Sequence, residues 1–127
     1  MKRLRLLAFA LLALPAAAAA QAPDWAHAQR VEVKLSSFDF TPSTLHLRAG
    51  RPVVLHLVNT GSGGHDFTAP EFFAAAQLRK ATGKGRVEVR GHQSVDVALV
   101  PKAGRYPLKC SHAFHKTLGM AGQIVVD

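Results

Sequence analysis

Apolar side chains recur at every second position through much of this chain, and the places where that rhythm breaks are rich in glycine, proline and small polar residues. Val31-Glu32-Val33-Lys34-Leu35 puts aliphatic groups on one face and charge on the other, the signature of a half-buried strand. Phe38 and Phe40 continue the alternation, Thr41-Pro42-Ser43 interrupts it with turn chemistry, and Leu45-His46-Leu47-Arg48 resumes it with His46 facing outward. After the turn Ala49-Gly50-Arg51-Pro52, the run Val53 to Val58 is aliphatic except for His56, which predicts a central strand covered on both faces. Asn59 ends it, and Thr60-Gly61-Ser62-Gly63-Gly64 predicts a loop in which glycine permits close backbone approach. Thr68-Ala69-Pro70-Glu71 has capping-box spacing with Pro70 in the first turn, so Phe72 to Ala81 is expected to form one short helix. Val87 and Val89, a turn at Gly91-His92, and Val95 to Leu99 predict a hairpin with His92 at its tip. Beyond the turn Pro101-Lys102-Ala103-Gly104, Tyr106, Leu108 and Cys110 share a face, and Val125 and Val126 close the chain in a last strand. About seven short strands separated by turns predict an all-β Greek-key sandwich.

The first twenty residues follow a different rule. Lys2, Arg3 and Arg5 precede an apolar run from Leu6 to Leu14 and a small-residue end, Pro15 to Ala20, which reads as an export signal with Ala18-Ala19-Ala20 at its cleavage site. The run is shorter than the ~20 apolar residues of a membrane-spanning helix. Residues 1–20 are therefore expected to be a signal peptide, 21–30 a flexible lead-in with His27 facing solvent, and 31–127 one domain. Removing the signal lowers the formal charge from +8 to +5, enough to suit a partner with an acidic docking surface. Arg79, Lys80, Lys84 and Arg86 fall close together and are candidates for such a patch, or for an ordinary solvated helix end.

A single cysteine in an exported chain has no internal disulfide partner. Cys110 is followed by His112, His115 and Met120, so a thiolate, imidazoles and a thioether lie within eleven residues. A blue copper site uses a cysteine, two histidines and a weak axial methionine, and this stretch supplies all but one of them. The spacing C-x4-H-x4-M over Cys110, His115 and Met120, with Gly119-Met120-Ala121-Gly122 leading into the last strand, resembles the carboxy-terminal ligand loop of the cupredoxins. A second feature resembles that family as well: a strand ending in Asn59, then a loop and Gly64-His65-Asp66-Phe67.

The resemblance implies a cupredoxin-like β-sandwich with one short helix after the remote histidine, holding one copper ion on His65, Cys110, His115 and Met120. His112 is the alternative near histidine; it leaves seven residues before Met120, whereas His115 keeps the plastocyanin-like gap of four. Relatives commonly carry asparagine after the remote histidine, where this chain has Asp66. Asp66 is expected to accept a hydrogen bond from Ser111 and to present its N–H to the Cys110 sulfur, while its charge favours Cu(II) and lowers the potential. Three function classes follow. The first is a periplasmic one-electron carrier cycling Cu(I) and Cu(II) with a protein redox partner. The second is a copper-handling protein that exchanges the ion with a donor or acceptor, with His112 as transfer ligand. The third, an enzyme built on Cys110 and His115, lacks any sequence mark of a substrate cleft or oxyanion site, and a chain this short leaves no room for the extra copper sites of oxidases. The reading is of a non-enzymatic electron carrier, with no nucleic-acid partner and no membrane span after signal removal.

Overall fold

The computed structural model describes residues 13–17, 21–36, 38–112 and 119–127. Among the described residues, ten strands form two five-stranded sheets: β1 (Gln29–Ser36), β2 (Asp39–Thr41), β3 (Thr44–Leu47), β4 (Val53–Asn59), β5 (His65–Thr68), β6 (Gln77–Leu78), β7 (Arg86–Val89), β8 (Ser94–Val100), β9 (Gly104–Lys109) and β10 (Ala121–Val126). One sheet runs β2-β1-β4-β8-β6 and the other β3-β10-β9-β5-β7. The all-β sandwich expected from the alternation is what the chain forms.

The alternation does its work on the inner faces. Val33, Leu35, Val53, Leu55, Leu57, Val97 and Leu99 from the first sheet meet Leu45, Leu47, Phe67, Val89, Leu108, Ile124 and Val126 from the second in one core. Phe67 stands edge-on to Phe40 and Phe73, with ring centroids 6.0 and 5.9 Å away. Fully burying such a side chain contributes about 1.5–3 kcal/mol, so Phe67 anchors β5 two residues from His65. β4 is central, as its composition suggests, although its second face is only half-buried. There His56 hydrogen-bonds the Asp96 carboxylate, which Arg30 also reaches at 3.3 Å. His46 and His27 face solvent as expected. Trp25–His27 forms a single 3-10 turn, and Gln29 already pairs with Val53, so the sheet begins inside the stretch read as a lead-in.

Two local expectations are overturned. The helix α1 spans Pro70–Ala75, not Phe72 to Ala81, and the chain leaves it in extended form at Ala76 to make β6. Its N-cap is Ala69, which has no polar side chain to offer, while Thr68 ends β5 and its hydroxyl donates to Asp66 Oδ1 at 2.7 Å. The predicted 87–99 hairpin does not form either: β7 pairs with β5 in one sheet and β8 with β4 and β6 in the other. The segment between them crosses the sandwich at Gly91, where a Cβ would stand 2.1 Å from the Ser62 carbonyl oxygen. His92 follows with a positive φ of 57° and donates its N–H to the Gly61 carbonyl. This crossover therefore packs against the very loop that leads to His65.

Candidate metal centre

Three of the four predicted ligands come from one end of the second sheet. β5 begins at His65, β9 ends just before Cys110, and β10 begins just after Met120. Antiparallel pairing sets Ala121 opposite Lys109, and the Cys110 N–H donates to the Met120 carbonyl at 3.1 Å, which closes the base of the loop. Thr68 pairs with Lys109, so the register carries Asp66 beside Ser111. The Asp66 N–H donates to Cys110 Sγ at 3.4 Å, which ties the His65 segment to the cysteine as expected. Cys110 and Met120 are fully buried and His65 nearly so. His115 lies outside the described residues.

The approach to His65 is fixed by Asn59. Its buried amide donates to the Gly63 carbonyl at 2.7 Å and the Val89 carbonyl at 3.0 Å, and its Oδ1 accepts from the Gly61 N–H at 3.0 Å. One side chain therefore fastens both ends of the loop and the neighbouring β7.

Side chains alternate across β5, so His65 and Phe67 go to one face and Asp66 and Thr68 to the other. On that second face Asp66, with no solvent exposure, accepts from Ser111 N–H at 2.8 Å, from the Ser111 hydroxyl, from Thr68 and from Arg86 Nε at 2.8 Å. Burial opposes its charge, but the bonds from Ser111 and Thr68 and the Arg86 guanidinium prevail and hold the carboxyl below the usual range. Burial pushes the Cys110 thiol up, against backbone hydrogen bonds from Asp66 and His112. A bound metal ion would reverse that preference by taking the thiolate directly.

His112 is turned toward this outer network. Its Nε2 lies 2.8 Å from Glu88 Oε1 and 3.8 Å from Asp66 Oδ2, and Gly64 leaves room for the pair, since a Cβ there would meet both partners at 3.2–3.3 Å. Among the described residues, ligating atoms of Asp66, Glu88 and His112 lie within 4.8 Å of one another. Arg86 already bridges both carboxylates, at 2.8 Å each, so the grouping is a closed ion-pair network and a cation would have to displace the guanidinium. The soft donors Cys110 and Met120, buried beside a histidine, are the better match to a thiophilic metal.

Sequence reasoning anticipated the contacts of Asp66 with Ser111 and Cys110. It missed Arg86 and Glu88, whose place depends on β7 lying against β5. The candidate basic patch is also thinner than its sequence suggests, because Arg86 is committed to this network and Arg79 stacks 5.5 Å over the Trp25 ring.

A family model for the cupredoxin-like domain matches residues 5–126. The chain belongs to the cupredoxin-like family. Among solved structures this cupredoxin is similar to auracyanin B, at 21% identity with a TM-score of 0.62 over 86% of this chain and 93% of that one. It is similar also to auracyanin A, a "blue" copper protein from Chloroflexus aurantiacus, at 18% identity and TM-score 0.57 over 77% and 98% of the two chains. The McoA multicopper oxidase from Aquifex aeolicus matches at 16% identity and TM-score 0.63, over 80% of this chain and 30% of the oxidase. At these identities the likeness is one of fold. A search of curated protein sequences returns no match.

Proposed function

We propose that this cupredoxin is an exported one-electron carrier that holds a single copper ion on His65, Cys110, His115 and Met120. A copper ion bound there would supply the Cu(II)/Cu(I) couple. The observation that carries the reading is the buried Cys110 sulfur, which accepts the Asp66 N–H while the cysteine's own N–H is fastened to the Met120 carbonyl. Donors held this way by backbone keep their positions whichever charge the site carries, so little rearrangement accompanies electron transfer. Burial of Cys110 and Met120 also excludes water and competing ligands, which suits a resident cofactor better than a cargo ion.

His115 is assigned as the second imidazole on its spacing. The His112 ring supports that choice, because it is engaged with Glu88 on the opposite face of β5 from His65. The copper-handling alternative uses the same donors and differs in how readily they release the ion. We assign no enzymatic activity: the McoA oxidase that shares the fold is more than three times this chain's matched length, whereas Cys110 here serves as a buried donor rather than a nucleophile in a cleft. Residues 1–20 are assigned as the export signal and the periplasm as the destination, and among the described residues no helix is long and apolar enough to cross a membrane. The partner is expected to present an acidic surface to this basic chain.

The experiment is a redox titration of the copper-loaded protein followed by incubation with a weak copper chelator. A reversible one-electron transition with copper retained supports the carrier; ready transfer of copper to the chelator supports handling instead.

A further inference from the structure

Asp66 donates its own backbone N–H to the Cys110 sulfur and carries its carboxylate on the other face of β5, wholly shielded from solvent. A fixed negative charge so placed stabilises the more positive oxidation state of anything the sulfur holds, and burial weakens the screening that would otherwise blunt it. Taken alone it would lower the potential of the site. Yet the structure pairs it with a cation: Arg86 Nε lies 2.8 Å from Asp66 Oδ2. The guanidinium is itself aimed by Glu88, whose Oε2 accepts from its other end at 2.8 Å, and Glu88 is held in turn by His112. Glu88 is substantially exposed, so its charge is screened by water more than that of Asp66.

We propose that Arg86 sets the reduction potential of the Cys110 site by cancelling the charge of Asp66, and that Glu88 positions it to do so. This inference rests on the copper reading above. Arg86 is a positioning residue: among the described residues its ion pairs are with Asp66 and Glu88, and it acts on the site through Asp66. The pairing explains how this chain carries aspartate beside the remote histidine without placing a net charge against the sulfur. It also predicts a pattern that a purely mechanical tie between β5 and β7 would not give, because loosening a tie from either end shifts the site the same way, whereas removing opposite charges shifts it in opposite ways.

The test is spectroelectrochemical titration of the copper-loaded full chain and of Arg86→Gln, Asp66→Asn, the double variant and Arg86→Lys. Arg86→Gln is expected to lower the potential and Asp66→Asn to raise it. At a fixed ambient potential each should change the oxidised-to-reduced ratio roughly fivefold or more, in opposite directions. The double variant should return close to the parent, and Arg86→Lys should retain most of the parent's potential. Urea denaturation of the apoproteins gives an independent reading: Arg86→Gln should cost less stability in the Asp66→Asn background than in the parent. Shifts of the same sign, an unmoved potential in Arg86→Gln, or equal stability costs in both backgrounds would overturn the proposal while leaving the copper site standing. If Arg86→Gln alone does not fold, the double variant decides it: a potential close to the parent's supports the cancellation, and one raised as far as in Asp66→Asn overturns it. A parent protein that shows no copper–thiolate absorption would overturn the copper reading and this inference together.

Discussion

Replacing Asn59 with alanine should detach the histidine loop from the sandwich. The parent amide group makes three hydrogen bonds, to the Gly63 and Val89 carbonyls and from the Gly61 N–H, and the residue is 1% exposed. Each such bond is worth about 1 kcal/mol net, and the Val89 contact is fully buried, so its carbonyl has little water to turn to. The expected loss is about 3 kcal/mol, which for a domain of this size lowers Tm by roughly 12–24 °C. Denaturation of the apoprotein measures the stability directly. Copper titration should show affinity down by about tenfold or more, because the residue that orients the His65 segment is gone. Asn59→Asp keeps only the acceptor and sets a carboxylate against two carbonyl oxygens, so at neutral pH it should cost at least as much. A loss below about 0.5 kcal/mol for Asn59→Ala, or an Asn59→Asp variant as stable as the parent, would refute the claim that these bonds hold the loop.

Met120→Leu should retain copper and raise the potential, since a weak axial thioether is replaced by an apolar group in a buried position, and equilibrium redox titration checks it; loss of copper binding would make the methionine a principal ligand. His115→Ala should abolish the native copper spectrum and His112→Ala leave it largely intact, and the reverse result would transfer the assignment to His112. On the other sheet, the His56 hydrogen bond, then the Arg30 guanidinium, hold Asp96 below the ordinary carboxylate range. A depressed folded pKa means the stabilisation is present above the unfolded value of about 3.9 and fades as pH falls through the folded value. Because Asp96 is half exposed, Asp96→Asn should cost no more than about 0.5 kcal/mol at pH 7, and its thermal-melt difference from the parent should begin to narrow as pH falls below about 4.

What could be read from the sequence followed from period-two patterning and from short-range chemistry. Val31 to Leu35, Val53 to Val58 and Tyr106 to Cys110 declared their strands and inner faces, and Cys110, His115 and Met120 declared a soft donor set within one loop. Alternation does not say which sheet a strand joins, so Val87–Val89 and Val95–Leu99 looked like a hairpin although Gly91 carries the chain from one sheet to the other. The helix is shorter than local composition suggests for a similar reason: Gln77 and Leu78 pair with Val100 and Leu99 of β8, a long-range pairing that takes the chain out of the helix after Ala75. In the sequence Arg86 is one of four neighbouring basic residues, and its ion pair with Asp66, twenty positions away, exists only because β7 lies against β5.

The central claim is that Cys110 supplies a thiolate to a copper ion in a closed site. The most direct measurement is the visible spectrum of the full chain after Cu(II) addition, set beside that of Cys110→Ser. An intense absorption from the copper–thiolate bond in the parent, lost in the variant, is the predicted result. A colourless protein that takes zinc in preference, or a band that survives Cys110→Ser, would contradict it.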